Sequence, residues 1–307
     1  MILLDWNGVA GRVEGLFQSM SNPVPIQTIL FRLKKYFSFV KFEHTLFSLP
    51  LIYSGVFLAS KSIPSMKLLG LVLLAGIGAR TAALTLNRLI DREIDRRNPR
   101  TVHRELPSGR MTSPEAAIIL LFGVAVYGFA AYSISTFTFY ISPIPLVIFI
   151  GYPYMKRFTR LAHFGVGLGL SMAPLGGWFA VKQSFDGLLP GALLSVFTLL
   201  WVSGFDIIYS TLDEDFDRRE NLHSFVAHLG KERALTVSSW LHGLAFAVLA
   251  ILFFYEIRAW IAAPLLLATG ALLYMEQRRA ADVELAFFRI NAVLGFAVFG
   301  MVFVGVI

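Results

Sequence analysis

Residues 67–97 read KLLGLVLLAGIGARTAALTLNRLIDREIDRR, and this stretch decides the fold. From Lys67 to Ile90 it is apolar except for Arg80, Arg88 and small polar side chains. That length suits a helix crossing a bilayer, which needs about 20 such residues. The run then breaks into charge, with Asn87, Asp91 and Asp95 spaced four apart and so on one helical face. Eight more segments have the same character, about 43–60, 114–133, 137–154, 162–181, 189–210, 234–255, 258–275 and 288–307. Their apolar residues run on without alternation, which rejects a membrane β-barrel. The expected class is all-α, a polytopic membrane protein of nine transmembrane helices around a central cavity.

Composition agrees with this class. Of 307 residues 56% are hydrophobic and only 15% charged, and the mean hydropathy is +0.66. A soluble chain would carry about 25% charged residues. These values exclude an ordinary cytosolic globule, a disordered chain and a disulfide-stapled domain. With no cysteine, thiolate catalysis, iron–sulfur clusters and cysteine-ligated zinc are excluded too. The net charge of +7 is not gathered into one basic domain but punctuates the apolar runs. It points to membrane topology, with a lipid bilayer and not nucleic acid as partner.

Between successive spans, 21 Lys and Arg fall on the side of the N-terminus and four on the other. This asymmetry predicts a cytoplasmic N-terminus and an outer C-terminus in the plasma membrane. Residues 1–35 hold Asp5 and lack both a basic start and a long apolar core. They read as an interfacial amphipathic segment, not a signal peptide, ahead of a transmembrane domain over 36–307.

The chain echoes itself. The span 189–210 runs into DIIYSTLDEDFD, in which Asp213 and Asp217 are again four apart and lie 122 residues beyond Asp91 and Asp95. Four spans separate the two motif-bearing helices, so both motifs open on one side. Two four-helix halves plus a ninth helix would set them face to face. Like charges at this spacing repel, and acids at a membrane helix end usually line a cavity or pair with cations. Carboxylates without cysteine or histidine at ligand spacing suit a hard cation, with Mg²⁺ commonly held by carboxylates and substrate phosphates. Asp91, Asp95, Asp213 and Asp217 are the candidate ligands, and two Mg²⁺ ions bridged by a diphosphate are expected. Arg97, Arg100 and Arg104 follow the first motif, and Lys156 and Arg157 end GYPYMKRFT (residues 151–159) between the interfacial Tyr152 and Tyr154 and a polar loop. Positive-inside topology also explains such cations, yet Arg forks and Lys point charges match phosphate oxygens.

NRLIDREID followed by RTVHRELPSGRMT, then YPYMKRFT, then DIIYSTLDEDFD with HSF and Gly230 downstream resembles the UbiA superfamily of intramembrane prenyltransferases. The resemblance covers about residues 36–307. It implies a nine-helix bundle, Mg²⁺, and transfer of a polyprenyl group from its diphosphate to a small aromatic acid, with no obligate protein partner. Asn87 and Tyr209 carry over as motif residues, and Arg100, Arg104, Lys156 and Arg157 as diphosphate contacts. Asp206 carries over as the candidate base, although it also balances the arginine cluster. Lys41 is a candidate for the acceptor carboxylate. Where many members read R-P-L, this chain has Arg104-Glu105-Leu106. With FVKFEHTLFSLP (residues 39–50), this is similar to a branch assigned to menaquinone synthesis through 1,4-dihydroxy-6-naphthoate. A 4-hydroxybenzoate-type acceptor is the leading expectation and the naphthoate its alternative.

Other features carry less. The glycine run FGVGLGLSMAPLGG (residues 164–177) lies mid-span, where Gly165 and Gly169 fit close helix packing rather than nucleotide binding. His163, His223, His228 and His242 have no metal-ligand spacing, and His44 reads as interfacial. The D-G-x-x-A-R start of CDP-alcohol phosphotransferases is absent. An ion-coupled transporter is the non-enzyme alternative, since buried acids also mark ion paths.

Overall fold

A computed structural model of the chain describes residues 35, 36, 39, 45–283 and 285–307. Lys41, His44 and all but the last residue of the expected interfacial segment fall outside them. Among the described residues there are helices and no strand.

The helices are α1 (Thr45–Ser60), α2 (Met66–Ile90), α3 (Arg92–Arg97), α4 (Ser113–Ile134), α5 (Thr136–Ile141), α6 (Pro143–Met155) and α7 (Ala162–Lys182). There follow α8 (Leu189–Ser210), α9 (Glu214–Arg219), α10 (Phe225–Leu229), α11 (Lys231–Leu252), α12 (Ala263–Arg278) and α13 (Asn291–Val306). Six stretches are long and apolar enough to cross a membrane: Met66–Ile90, Ser113–Ile134, Thr136–Met155, Ala162–Lys182, Leu189–Arg219 and Lys231–Ile257. The helices at the other three places, α1, α12 and α13, are each described over 16 residues. At 1.5 Å per residue each rises about 24 Å, less than the roughly 30 Å hydrocarbon core.

Local chemistry sets the boundaries. Thr112 and Glu115 form a reciprocal capping box that starts α4. The span expected over 137–154 is present as Thr136–Met155, with a local turn at Ser142 where Pro143 and Pro145 bring no backbone N–H. Span 258–275 also starts late: Arg258 sits at φ +54°, and a 3₁₀ turn over Trp260–Ala262 precedes α12. The stretches 91–113 and 211–233 between the spans contain the short helices α3, α9 and α10.

In the bundle α2 packs on α4 and α6, α7 on α1, α6 and α8, α8 on α11, and α13 on α1 and α12. Small residues permit the closest approaches. A Cβ on Gly78 would stand 2.6 Å from the Tyr127 backbone nitrogen, and one on Gly177 only 2.0 Å from the Ile52 carbonyl oxygen. Gly165 closes similarly on Tyr152 and Met155. Helix α8 is the centre of the core, burying Leu194, Phe197, Trp201 and Val202 against α7, α11 and α13. Ile118, Leu121, Phe122 and Phe129 of α4 point outward and exposed, an apolar face that hydrocarbon covers.

Candidate active site

Helix α2 ends by handing its last turn to the first motif. The Asp91 N–H donates to Asn87 O at 2.9 Å, and the Asp95 N–H to Asp91 O at 2.8 Å. The helical stagger therefore continues into α3, and Asn87, Asp91 and Asp95 keep one face; Asn87 Nδ2 donates to Asp91 Oδ2 at 3.1 Å. Beyond α8, the 3₁₀ turn Thr211–Asp213 and α9 carry Asp213 and Asp217 in the same manner. Both motifs line one polar cavity of about 220 Å³, together with Asn98, Arg100, Arg104, Lys156, Asp206 and Tyr209.

Each motif is met by a cation from elsewhere in the chain. Lys156 Nζ lies 2.7 Å from Asp91 Oδ2, and Arg104 NH1 lies 2.8 Å from Asp95 Oδ2. Arg100 grips Asp213 with a fork: Nε donates to Oδ1 at 2.9 Å while NH2 meets Oδ2. Its NH1 donates to the Tyr209 hydroxyl at 2.6 Å, with the guanidinium 4.8 Å from that ring's centroid. Asn98 Nδ2 adds a 2.8 Å bond to Asp213 Oδ1, and its Oδ1 accepts from the Arg100 N–H at 2.9 Å. The first-motif loop is thereby fastened to the second motif.

Electrostatics follow from these contacts. Asp91 is 2% exposed, and burial pushes its carboxyl above the usual carboxylate range while the Lys156 ammonium opposes the rise. Burial alone would lower the Arg100 guanidinium, but Asp213 and Tyr209 carry it above its ordinary value.

The donor set fits a hard divalent cation such as Mg²⁺. Asp91 Oδ1 is buried without a hydrogen-bond partner among the described residues, with Arg157 NH2 3.7 Å away. Asn87, Asp95, Asp213 and Asp217 bring further oxygen donors to the same cavity. Among the described residues no three histidine or acidic side chains gather into a ready ligand set. Mg²⁺ needs no such cage, because one or two carboxylates, waters and substrate phosphates commonly complete its shell.

Not every expected residue reaches the cavity. Arg97 turns away to Glu220 at 2.7 Å and is largely exposed, since α3 points its last turn outward. Arg157 donates to the Ile90 carbonyl at 2.6 Å, closing the C-terminus of α2, and covers the Tyr154 ring at 4.9 Å. Asn87, Tyr209 and Asp206 do line the cavity.

Three features escape a reading of motifs. Asn98, in the loop after α3, ties the two halves as described. Arg88 and Glu105, 17 residues apart, form a buried pair. Arg80 lines a second, apolar cavity of about 370 Å³ formed by residues such as Ile52, Val72, Phe149 and Phe179. Its Nε finds no hydrogen-bond partner among the described residues. Tyr152 lines both cavities. A charge inside an apolar span is the signal that singles out Arg80.

The UbiA prenyltransferase family matches residues 48–293. A 4-hydroxybenzoate octaprenyltransferase of Herminiimonas arsenicoxydans is 30% identical over 285 residues, covering 88% of this chain and 96% of its own length. Another, of Psychromonas ingrahamii, is 30% identical over 260 residues, covering 82% and 88%. A solved UbiA homolog from Aeropyrum pernix is 32% identical with a TM-score of 0.80, covering 85% of this chain and 98% of that one. A UbiA homolog from Archaeoglobus fulgidus bound to GPP and Mg²⁺ is 19% identical with a TM-score of 0.67, covering 87% and 99%, and shares the fold.

Proposed function

The chain belongs to the UbiA prenyltransferase family, and we propose that it moves a polyprenyl group from polyprenyl diphosphate to a hydroxylated aromatic carboxylate of the 4-hydroxybenzoate type in quinone biosynthesis. The carrying observation is one cavity that gathers both aspartate motifs and Arg100, Arg104 and Lys156 beside a larger apolar cavity. A diphosphate fits the first and a prenyl chain the second. Family membership leaves the transporter alternative without support.

In this reading Asp91, Asp95, Asp213 and Asp217, with Asn87, would hold two Mg²⁺ ions. The metal supplies charge neutralisation of the diphosphate leaving group. Arg100, Arg104 and Lys156 offer donors to the same oxygens once substrate replaces their present carboxylate partners. The apolar walls keep water from the allylic cation. Arg80 offers the acceptor carboxylate a guanidinium from the apolar cavity, alongside the same role expected of Lys41. Asp206 serves as base for the acceptor. The fold is read as nine crossings over residues 36–307, with a cytoplasmic N-terminus and site and an outer C-terminus in the plasma membrane.

The second acceptor, 1,4-dihydroxy-6-naphthoate, rests on the likeness carried by Glu105 in place of the proline of R-P-L, a residue that Arg88 holds buried. The test is diphosphate release from a defined polyprenyl diphosphate with each acceptor side by side. Mg²⁺-dependent turnover that Asp91→Ala and Asp213→Ala abolish is expected. Wild-type rates in both variants would overturn the reading.

A further inference from the structure

His163 lies in the first turn of α7, almost wholly buried, and no metal or substrate pattern in the sequence accounts for it. Its Nδ1 stands 2.7 Å from Asp206 Oδ2, across 43 residues of chain. On the opposite side of the ring, the Phe225 backbone N–H points at Nε2 at 3.4 Å. Phe225 is the first residue of α10, whose cap, Ser224, takes the Ala227 N–H at 3.1 Å. The Phe225 N–H has no acceptor within its own helix and turns to the imidazole. The Phe225 ring stacks on His163 with centroids 5.8 Å apart and planes 23° from parallel.

These contacts assign the tautomer. A nitrogen facing a backbone N–H acts as acceptor, so in the neutral ring the proton sits on Nδ1 and is donated to Asp206. We infer that His163 is a positioning residue that holds Asp206 Oδ2 and so aims the other carboxylate oxygen, Oδ1, at the acceptor bound in the cavity. The inference rests on the prenyl-transfer reading. Asp206 Oδ1 then takes the acceptor's phenolic proton: the O–H bond breaks, its electron pair stays on the phenolate oxygen, and the carboxyl passes the proton to water. His163 thus has both ring nitrogens engaged by these contacts. It also joins three elements, α7, α8 and α10, so the loop behind the second aspartate motif determines how the base is aimed.

The test is steady-state kinetics on purified full-length protein, with each substrate varied in turn, together with thermal melting. Asparagine at position 163 sets an N–H donor where Nδ1–H stood, whereas glutamine and alanine do not. His163→Ala and His163→Gln are expected to lower kcat about a hundredfold, the cost of roughly 1 Å of misplacement, with KM for the polyprenyl diphosphate unchanged. His163→Asn is expected to recover most of the lost kcat. Unchanged kcat in His163→Ala would overturn the inference, as would an equal loss in the Asn and Gln variants or losses that track melting temperature. Inactivity of the unaltered protein with every polyprenyl diphosphate would instead overturn the prenyl-transfer reading itself.

Discussion

Arg88 NH1 and Glu105 Oε2 meet at 2.5 Å with both side chains almost wholly buried. Arg88 belongs to the last turn of α2, immediately after Asn87, while Glu105 follows Arg104. The pair therefore pins the loop that carries Arg100 and Arg104 to the helix that carries Asn87. Removing one partner takes this ion pair from a charge that stays buried, at a cost of up to about 3–5 kcal/mol. Glu105→Ala is expected to lower the melting temperature and the turnover together. The double variant Arg88→Met/Glu105→Leu, which strands no charge, is expected to regain much of the stability. Thermal melts of the single and double variants form the cycle that checks this.

The Arg100 fork on Asp213 yields a second prediction. Lysine keeps the charge but cannot span both carboxylate oxygens and the Tyr209 hydroxyl at once. Arg100→Lys is expected to raise KM for polyprenyl diphosphate about tenfold, and Tyr209→Phe, which removes one acceptor of that fork, by less. Initial rates over a series of donor concentrations measure both. Equal KM values in wild type and Arg100→Lys would remove Arg100 from diphosphate binding.

Metal removal gives a third. Asp91 Oδ1 is buried with no hydrogen-bond partner among the described residues, so the first motif has an oxygen to offer a cation. Chelation is expected to abolish diphosphate release, and added Mg²⁺ to restore it. Asp91→Asn is expected to lower turnover by about a hundredfold or more, on the scale of losing one oriented group at a charged transition state. Turnover that persists in chelator would contradict the proposed role of the motif.

Six of the expected spans and the placing of both aspartate motifs were legible because they are local: an apolar run and a four-residue spacing both show within one helix. The turn at Ser142 inside the span Thr136–Met155 was not read from the sequence, because hydropathy averaged over 137–154 conceals what Pro143 and Pro145 do to the backbone. What the chain does not display is which cation meets which acid. Arg100 and Asp213 lie 113 residues apart, and His163 and Asp206 lie 43 apart. Histidine spacing is informative only when the ligands share a helix or loop, so His163 looked idle. Arg97 erred in the other direction. It shares a basic cluster with Arg100, but the rotation of α3 sends it to Glu220 and away from the cavity.

Arg80 makes the fourth prediction, and the acceptor's own chemistry checks it. Its guanidinium lies along the apolar cavity, and Nε has no hydrogen-bond partner among the described residues. A buried polar group in that condition is costly unless a ligand satisfies it. An aromatic carboxylate presents two oxygens that match the guanidinium. A hydrogen bond to a charged group is worth about 1.5–3 kcal/mol, so Arg80→Met is expected to raise the acceptor KM about tenfold to a hundredfold, with KM for polyprenyl diphosphate unchanged. The same comparison with an acceptor lacking its carboxylate separates recognition from folding. If Arg80 holds the carboxylate, wild type and Arg80→Met should handle the decarboxylated phenol equally well. A variant impaired to the same degree with both acceptors would show that Arg80 supports the cavity wall instead.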